Sequence, residues 1–323
     1  MNLISVIITT YNRAGSLRGI LDNFKKMRCD KDFMYEIIVV DNNSTDNTKE
    51  MIGQFAGGFD GRLRYIFEGT QGKQYALNSG IKNAKGEILA FTDDDVVVGP
   101  NWLNEINRFF NHGVSDAIGI GGKVLPTWPA EVPDWVWIKD KSVTNFGPIA
   151  IHDYGNGIIR YTKNHCPPLG CNMAFRKAAF EKYGFFNINL GTIGKCTLGE
   201  DTEYCLRLRD KGEKIYFVPE VLIFHPVEKS RLTKRYFLRW FFSSGISSLK
   251  IERLSPGIFC VFYIPAYMYK KILNKSIDAL MKTLFKKDGS FESMTSLAYS
   301  LGQLRAFFAM NKLKLRWRIL ARA

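Results

Sequence analysis

Short apolar runs alternate with segments of helical period through the first half of the chain. That alternation points to a mostly parallel sheet covered by helices on both faces. Residues 3–10 form a β-rich run. Leu17, Ile20, Leu21 and Phe24 then recur at i, i+3, i+4 and i+7, one face of a helix. Residues 35–40 are an apolar run broken only by Glu36 and ending at Asp41, and Met51, Ile52 and Phe55 mark a second helix. Residues 63–67 read as a strand, 74–84 as a helix and 87–92 as a strand. Pro100 suits the first position of a helix carrying Trp102, Leu103, Ile106 and Phe110.

In sheets of this kind ligands bind beyond the carboxyl ends of the strands. Thr9, Thr10 and Tyr11 follow the first run, Asp41 the second, and Asp93, Asp94 and Asp95 the fourth. Residues 119–170 are rich in Gly, Pro and Trp and read as a loop-rich insertion over the sheet edge. Beyond them come a helix near 176–182 closed by Gly184, a second helix after Glu200-Asp201 ending at Gly212, and two short strands at 214–218 and 220–225.

The formal net charge is +14, but it is not spread evenly. Residues 229–323 hold 19 Lys/Arg against 4 Asp/Glu, and the remainder is close to neutral. The expected division is therefore an α/β domain over 1–228 and a basic, aromatic, mostly helical extension over 229–323. A cationic end on a neutral body suits a polyanion. Without a helix-turn-helix, zinc-knuckle or RNA-recognition signature, nucleic acid is not the expected partner. Lys and Arg interleaved with Phe, Tyr and Trp instead suit an anionic membrane surface. The longest uncharged run, 254–269, falls short of the roughly 20 residues of a spanning helix. No signal peptide is expected at the apolar start. Six cysteines without a CxxC pair read as reduced thiols of a cytoplasmic protein, with a structural zinc site as the sharper alternative. No GxGxxG follows the first strand, which argues against a dinucleotide dehydrogenase.

Three adjacent carboxylates repel one another unless a cation or donors offset the charge. At a strand end, residues i and i+2 point the same way, so Asp93 and Asp95 could share Mg²⁺ or Mn²⁺ while Asp94 faces elsewhere. The plainer reading is a solvated acidic turn. Glu200 and Asp201 open a helix, whose dipole favours ionised carboxylates. Such a group can act as a general base or simply cap the helix. Lys73 could reach a phosphate or a base, or be a surface lysine. His225 follows the last strand and could approach a diphosphate or metal, or be structural. His112, His152 and His165 read as structural. Trp128, Trp135 and Trp137 could stack on a sugar or pack at loop bases.

Five segments, in order, resemble the family 2 glycosyltransferases: Val6-Ile7-Ile8-Thr9-Thr10-Tyr11-Asn12-Arg13, Val40-Asp41-Asn42-Asn43-Ser44-Thr45-Asp46, Gly86-Glu87-Ile88-Leu89-Ala90-Phe91-Thr92-Asp93-Asp94-Asp95, Gly170-Cys171-Asn172-Met173-Ala174-Phe175-Arg176 and Gly199-Glu200-Asp201-Thr202-Glu203. The resemblance implies a GT-A fold and inverting transfer from a nucleotide sugar, a UDP-sugar being the common donor. It implies that Thr9 and Tyr11 line the nucleotide pocket, Asp41 bonds the base, Asp94 approaches the ribose, Asp95 holds the metal, and Asp201 is the general base. Glu200, His225 and Trp128 are candidate acceptor or diphosphate contacts. The implied acceptor is a lipid-linked or membrane-proximal glycan, with the protein peripheral on the inner face of the cell membrane. Around Arg239-Trp240 the sequence partly resembles the signature of processive members. The position three before Arg239 is Tyr236, so processive synthesis is not expected. The alternative is a non-catalytic scaffold that keeps the fold and binds membrane or glycan.

Overall fold

A computed structural model describes residues 2–114, 116–136, 138, 143–191, 199–251, 260–261 and 264–320. The chain forms two compact units. One comprises Met1–Glu131, Ile138–Gly194 and Glu200–Val227; the other comprises Val132–Trp137, Lys195–Gly199 and Glu228–Ala323.

The first unit begins with β1 (Asn2–Thr10), α1 (Ala14–Lys26), β2 (Phe33–Asp41), α2 (Thr48–Ala56), β3 (Leu63–Phe67), α3 (Lys73–Asn83) and β4 (Ile88–Asp93). It continues through β5 (Val97–Val98), α4 (Trp102–His112), β6 (Ala117–Thr127), β7 (Asn145–Phe146), β8 (Ile151–His152) and β9 (Ile159–Arg160). It closes with β10 (Asn172–Arg176), α5 (Lys177–Tyr183), α6 (Glu200–Asp210) and β11 (Lys214–Pro226). The main sheet runs β3-β2-β1-β4-β10-β6-β11-β5. The left half is parallel, β10 runs antiparallel to both β4 and β6, and β6 and β11 are again parallel. Strand alternation sends Ile4, Val6 and Ile8 to a core with Leu17, Phe24, Met51 and Trp102. Ile7 goes to an opposite core with Leu77, Phe180 and Tyr204. Helices α1, α2 and α4 thus cover one face and α3, α5 and α6 the other.

Three expectations need correction. Pro100 lies in the turn before α4, which starts at Trp102 behind an N-cap at Asn101. Residues 117–127 are not loop but an 11-residue strand inside the sheet. Its glycines answer to crowding: a Cβ on Gly119 would sit 2.1 Å from Phe175, and one on Gly122 would sit 2.0 Å from the Val221 carbonyl oxygen. A composition that reads as loop is here a strand pressed against large neighbours. The two strands expected at 214–225 are one, β11, with an irregular register between Val218 and Leu222.

The second unit holds α7 (Lys234–Ile251), β12 (Cys260–Val261), β13 (Ile264–Pro265), α8 (Ala266–Leu284) and α9 (Ser290–Leu320). Helices α7 and α9 cross backbone to backbone at two glycines. A Cβ on Gly245 would lie 2.0 Å from the Tyr299 carbonyl oxygen, and one on Gly302 would lie 2.0 Å from that of Phe242. Leu249, Ile264, Met268, Ala306 and Phe307 form a core. Trp135 meets Phe237 and Phe291 edge-on, with ring centroids 5.2 and 5.1 Å away, so it is a packing residue. Trp137, Cys196 and half of the 254–269 run lie outside the described residues. Among those described, no helix is long and apolar enough to cross a membrane.

Candidate active site

The parallel register aligns the strand ends. Thr10 pairs with Asp41 across β1 and β2, and Thr9 pairs with Asp93 across β1 and β4. Thr9 is buried, whereas Tyr11, one step beyond β1, is 48% exposed. Asp41 accepts hydrogen bonds from the Tyr65 hydroxyl and the Ser44 amide, both at 2.9 Å. It opens onto a cleft of about 440 Å³ that also takes in Thr45, Lys49 and Phe67. Burial, and then the bond to Asp41, push the Tyr65 phenol up to about 12. The cleft is held by Asn12, in the left-handed region at φ 52°, whose side-chain oxygen accepts the Thr45 amide at 2.7 Å.

At the end of β4 the three aspartates diverge. Asp93 accepts Lys73 Nζ at 2.5 Å. Asp94 accepts the Thr10 hydroxyl at 2.7 Å and Arg13 at 3.2 Å. Asp95 accepts Arg13 at 2.7 Å and lies 3.8 Å from His225 Nε2. Burial pushes the Asp94 carboxyl up to about 6, with Thr10 and Arg13 pulling against its acidic neighbours. Burial acts the same way on Asp93, but the Lys73 charge and hydrogen bond, together with the charge of Arg13 and the effect of His225, outweigh it and hold that carboxyl below its usual range.

His225 arrives by a route invisible in local sequence. The chain turns after Asp95 into β5, whose Val97 pairs with Phe224 of β11. The next residue, His225, is buried beside the aspartates. Its Nδ1 faces its neighbour Pro226's carbonyl oxygen at 3.1 Å. A carbonyl only accepts, so Nδ1 is the donor in that contact and Nε2 is the nitrogen turned toward Asp95. Ligand atoms of Asp93, Asp95 and His225 all lie within 4.8 Å of one another, an O,O,N set able to grip a divalent cation.

The insertion of β10 against β4 brings up the opposite wall. Asn172 is fully buried; it accepts the Trp102 indole N–H at 2.8 Å and donates to the Lys123 and Val221 carbonyls at 2.9 and 2.7 Å. That fixes the preceding residues: the Gly170 amide donates to Asp201 at 2.7 Å, and the Thr202 amide to its other oxygen at 2.6 Å. Cys171 is buried between, its thiol pushed well up by burial and by the charge of Asp93. Glu200 is buried beside Asp201 and pushed up to about 7, by burial first and then by that neighbour's charge. Burial works against the charge on Lys73, yet Asp93, Glu200 and Asp201 together raise its pKa. Asp93, Lys73, Glu200 and Asp201 therefore form one electrostatic cluster.

Glycosyl transferase family 2 is the family model that the chain matches, over residues 5–184. The chain belongs to glycosyltransferase family 2. It is 31% identical over 183 residues to an uncharacterized glycosyltransferase of Nostoc sp., covering 55% of this chain but only 52% of that protein's length. It is 24% identical over 311 residues, 88% of this chain and 89% of the other, to the dolichyl N-acetyl-alpha-D-glucosaminyl phosphate 3-beta-D-2,3-diacetamido-2,3-dideoxy-beta-D-glucuronosyltransferase of Methanococcus voltae. In fold it matches a mannosyltransferase from Pyrobaculum calidifontis, solved with GDP-Man and Mn²⁺. The TM-score is 0.60 at 17% identity, over 94% of this chain and 86% of that one. The fold of this family 2 member is the expected GT-A fold, a mostly parallel sheet between helices.

Thr9, Lys73, Asp93, Asp94, Asp95, Glu200, Asp201 and His225 gather at the strand ends, with Asp41 in the adjoining cleft. Trp128 is half-buried just past the end of β6, beyond the Pro126–His225 pair. Sequence reading had given no role to Thr10, Arg13 or Cys171. Arg13 lies in the first of the family-like segments, but its reach to residues 94 and 95 is a tertiary fact. His152 is structural as expected: it bonds Asn145 and Tyr161 at 2.8 and 2.6 Å, and burial depresses it to about 4. Cys29, Cys166, Cys171 and Cys205 are free thiols, Cys166 exposed.

Proposed function

We propose that the protein is an inverting glycosyltransferase that moves a sugar from a nucleoside diphosphate donor to a hydroxyl of a lipid-linked or membrane-proximal glycan. The observation that carries this reading is the arrangement of Asp93, Asp95 and His225, linked through Lys73 to Asp201. Two carboxylates and an imidazole nitrogen fit Mn²⁺ or Mg²⁺, and the imidazole favours Mn²⁺. A cation held there supplies Lewis-acid neutralisation of the departing diphosphate.

The remaining work falls to the chain itself. Asp41 and Tyr11 bind the base, with Thr9 in the pocket wall and Asp94 toward the ribose. Arg13 and Lys73 place two positive charges where the diphosphate oxygens lie. Asp201, ordered by the Gly170 and Thr202 amides, accepts the proton of the attacking hydroxyl. One base and no enzyme nucleophile suffice for a single displacement with inversion. The Methanococcus relative, by its name, acts on a dolichyl phosphate-linked sugar, which supports a lipid-linked acceptor here. The basic second unit supports a peripheral position on the membrane surface.

The test is hydrolysis of a panel of nucleotide sugars, with and without Mn²⁺, followed by transfer to polyprenyl-phosphate-linked sugars. Metal-dependent turnover of one donor is the expected result. Absence of both hydrolysis and nucleotide binding across the panel would overturn the reading.

A further inference from the structure

Helix α8 is turned the wrong way round for water. Three of its four lysines bond to α9 while its leucines point outward. Lys271 donates to Gln303 at 3.1 Å, Lys275 to the Ser296 hydroxyl at 2.6 Å, and Lys282 to the Ser293 hydroxyl at 2.9 Å, all on α9. Leu273, Ile277, Leu280 and Leu284 recur at i, i+4, i+7 and i+11 and are 51–65% exposed. Met281 and Phe285 extend the stripe. At 1.5 Å per residue the four-residue ridge is about 17 Å long. A helix packed only against its neighbour would bury such a face and leave its ammonium groups in solvent.

We infer that this face of α8 lies flat in an anionic lipid surface, with the four aliphatic side chains in the acyl boundary. The inference rests on the proposed membrane-proximal acceptor and names the element that makes the contact. Charge selects the occupant. Lys270 near the amino end and Lys286 and Lys287 beyond the carboxyl end are exposed at the rims of the stripe. The segment from 229 onward carries 19 basic against 4 acidic residues, so a second copy would be repelled where an anionic headgroup layer is attracted. Tyr267 and Tyr269, both exposed, sit beside Lys270, and rings with a polar tip favour the membrane interface.

The experiment uses the full chain and co-sedimentation with phosphatidylcholine vesicles, with and without phosphatidylglycerol. The compared variant carries Leu273→Gln, Ile277→Gln, Leu280→Gln and Leu284→Gln, exposed positions whose change leaves the α9 contacts intact. An unchanged thermal unfolding profile verifies its fold. Wild type should bind the anionic vesicles and the variant at least tenfold less, with Mn²⁺-dependent nucleotide-sugar hydrolysis equal in both. A second variant, Lys286→Gln/Lys287→Gln, should weaken binding and flatten its salt dependence. Equal vesicle binding by wild type and the quadruple variant would overturn the assignment. So would a wild-type dimer, seen by sedimentation velocity and abolished in the variant, with no vesicle binding. Intact vesicle binding with no nucleotide-sugar turnover in any form would instead remove the transferase reading and leave the lipid contact standing.

Discussion

Lys73 Nζ lies 2.5 Å from Asp93 Oδ1, and the same ammonium acts on Glu200 and Asp201. One positive charge thus joins the carboxylates at the end of β4 to those at the start of α6. Lys73→Gln removes it while keeping length and polarity. Catalytic efficiency should fall about 10- to 100-fold, the range expected for a lost hydrogen bond to a charged group. Steady-state kinetics and calorimetric titration with the nucleoside diphosphate check this. Unaltered kinetics would leave Lys73 a purely structural residue.

Asp201→Asn keeps the shape and, through its one side-chain oxygen, one of the two amide contacts, but cannot take up a proton. Transfer should drop by about 10²- to 10⁴-fold, with affinity for the nucleoside diphosphate within a factor of a few of wild type. Turnover near the wild-type rate would place the proton acceptor elsewhere.

Asp95→Ala deletes one member of the O,O,N set and frees Arg13 from its 2.7 Å contact. Binding of the nucleoside diphosphate should lose its dependence on Mn²⁺, and chelation with EDTA should reduce wild type to the same level. A variant whose affinity still rises with added Mn²⁺ would move the cation to another set of ligands.

Glu200 gives a pH signature. Its ordinary value is 4.5, and burial followed by the Asp201 charge pushes it up to about 7. Between these pH values the folded protein keeps a proton that the unfolded chain has released. Folding stability from this group therefore declines as pH rises from about 4.5 to about 7 and is constant above. Glu200→Gln abolishes that slope and should be more stable than wild type at pH 8, on the order of 3 kcal/mol, but not at pH 4. Urea unfolding of the metal-free, nucleotide-free protein at a series of pH values measures it. Parallel curves for the two proteins would contradict the assignment.

Gly302→Ala puts a methyl group 2.0 Å from the Phe242 carbonyl oxygen, which no rotamer relieves. The second unit should lose about 3 kcal/mol of stability. Nucleoside diphosphate binding, which draws on the first unit, should persist. A thermal scan read alongside nucleotide titration separates the two effects.

The strand ends were legible because parallel β-α units put polar residues at predictable places. Asp41 as the last residue of β2, and the three aspartates that begin with the last residue of β4, announced themselves by closing apolar runs. His225 stood out as the end of the last strand, but its partners, like those of Arg13, did not, since they are fixed by β5–β11 pairing and by a contact across 81 residues. Periodicity also misread the centre of the sheet. Gly119, Gly121 and Gly122 carry no side chain to alternate, so a buried strand looked like a loop. Their small size answers to Phe175, Pro168 and Val221, which only the fold brings near. The inverted polarity of α8 was equally hidden, because composition records how many lysines there are and not which way they face.

The glycine crossing of α7 and α9 also sets an order of assembly. Residues 290–320 emerge from the ribosome after every other described element of their unit, and until they do, Gly245 faces no opposing main chain. The carboxyl-terminal unit consequently matures only once synthesis has run past Gly302, whereas the main sheet is complete by Pro226. Nascent chains stalled between these points would hold a finished first sheet joined to an α7 that still lacks its α9 partner.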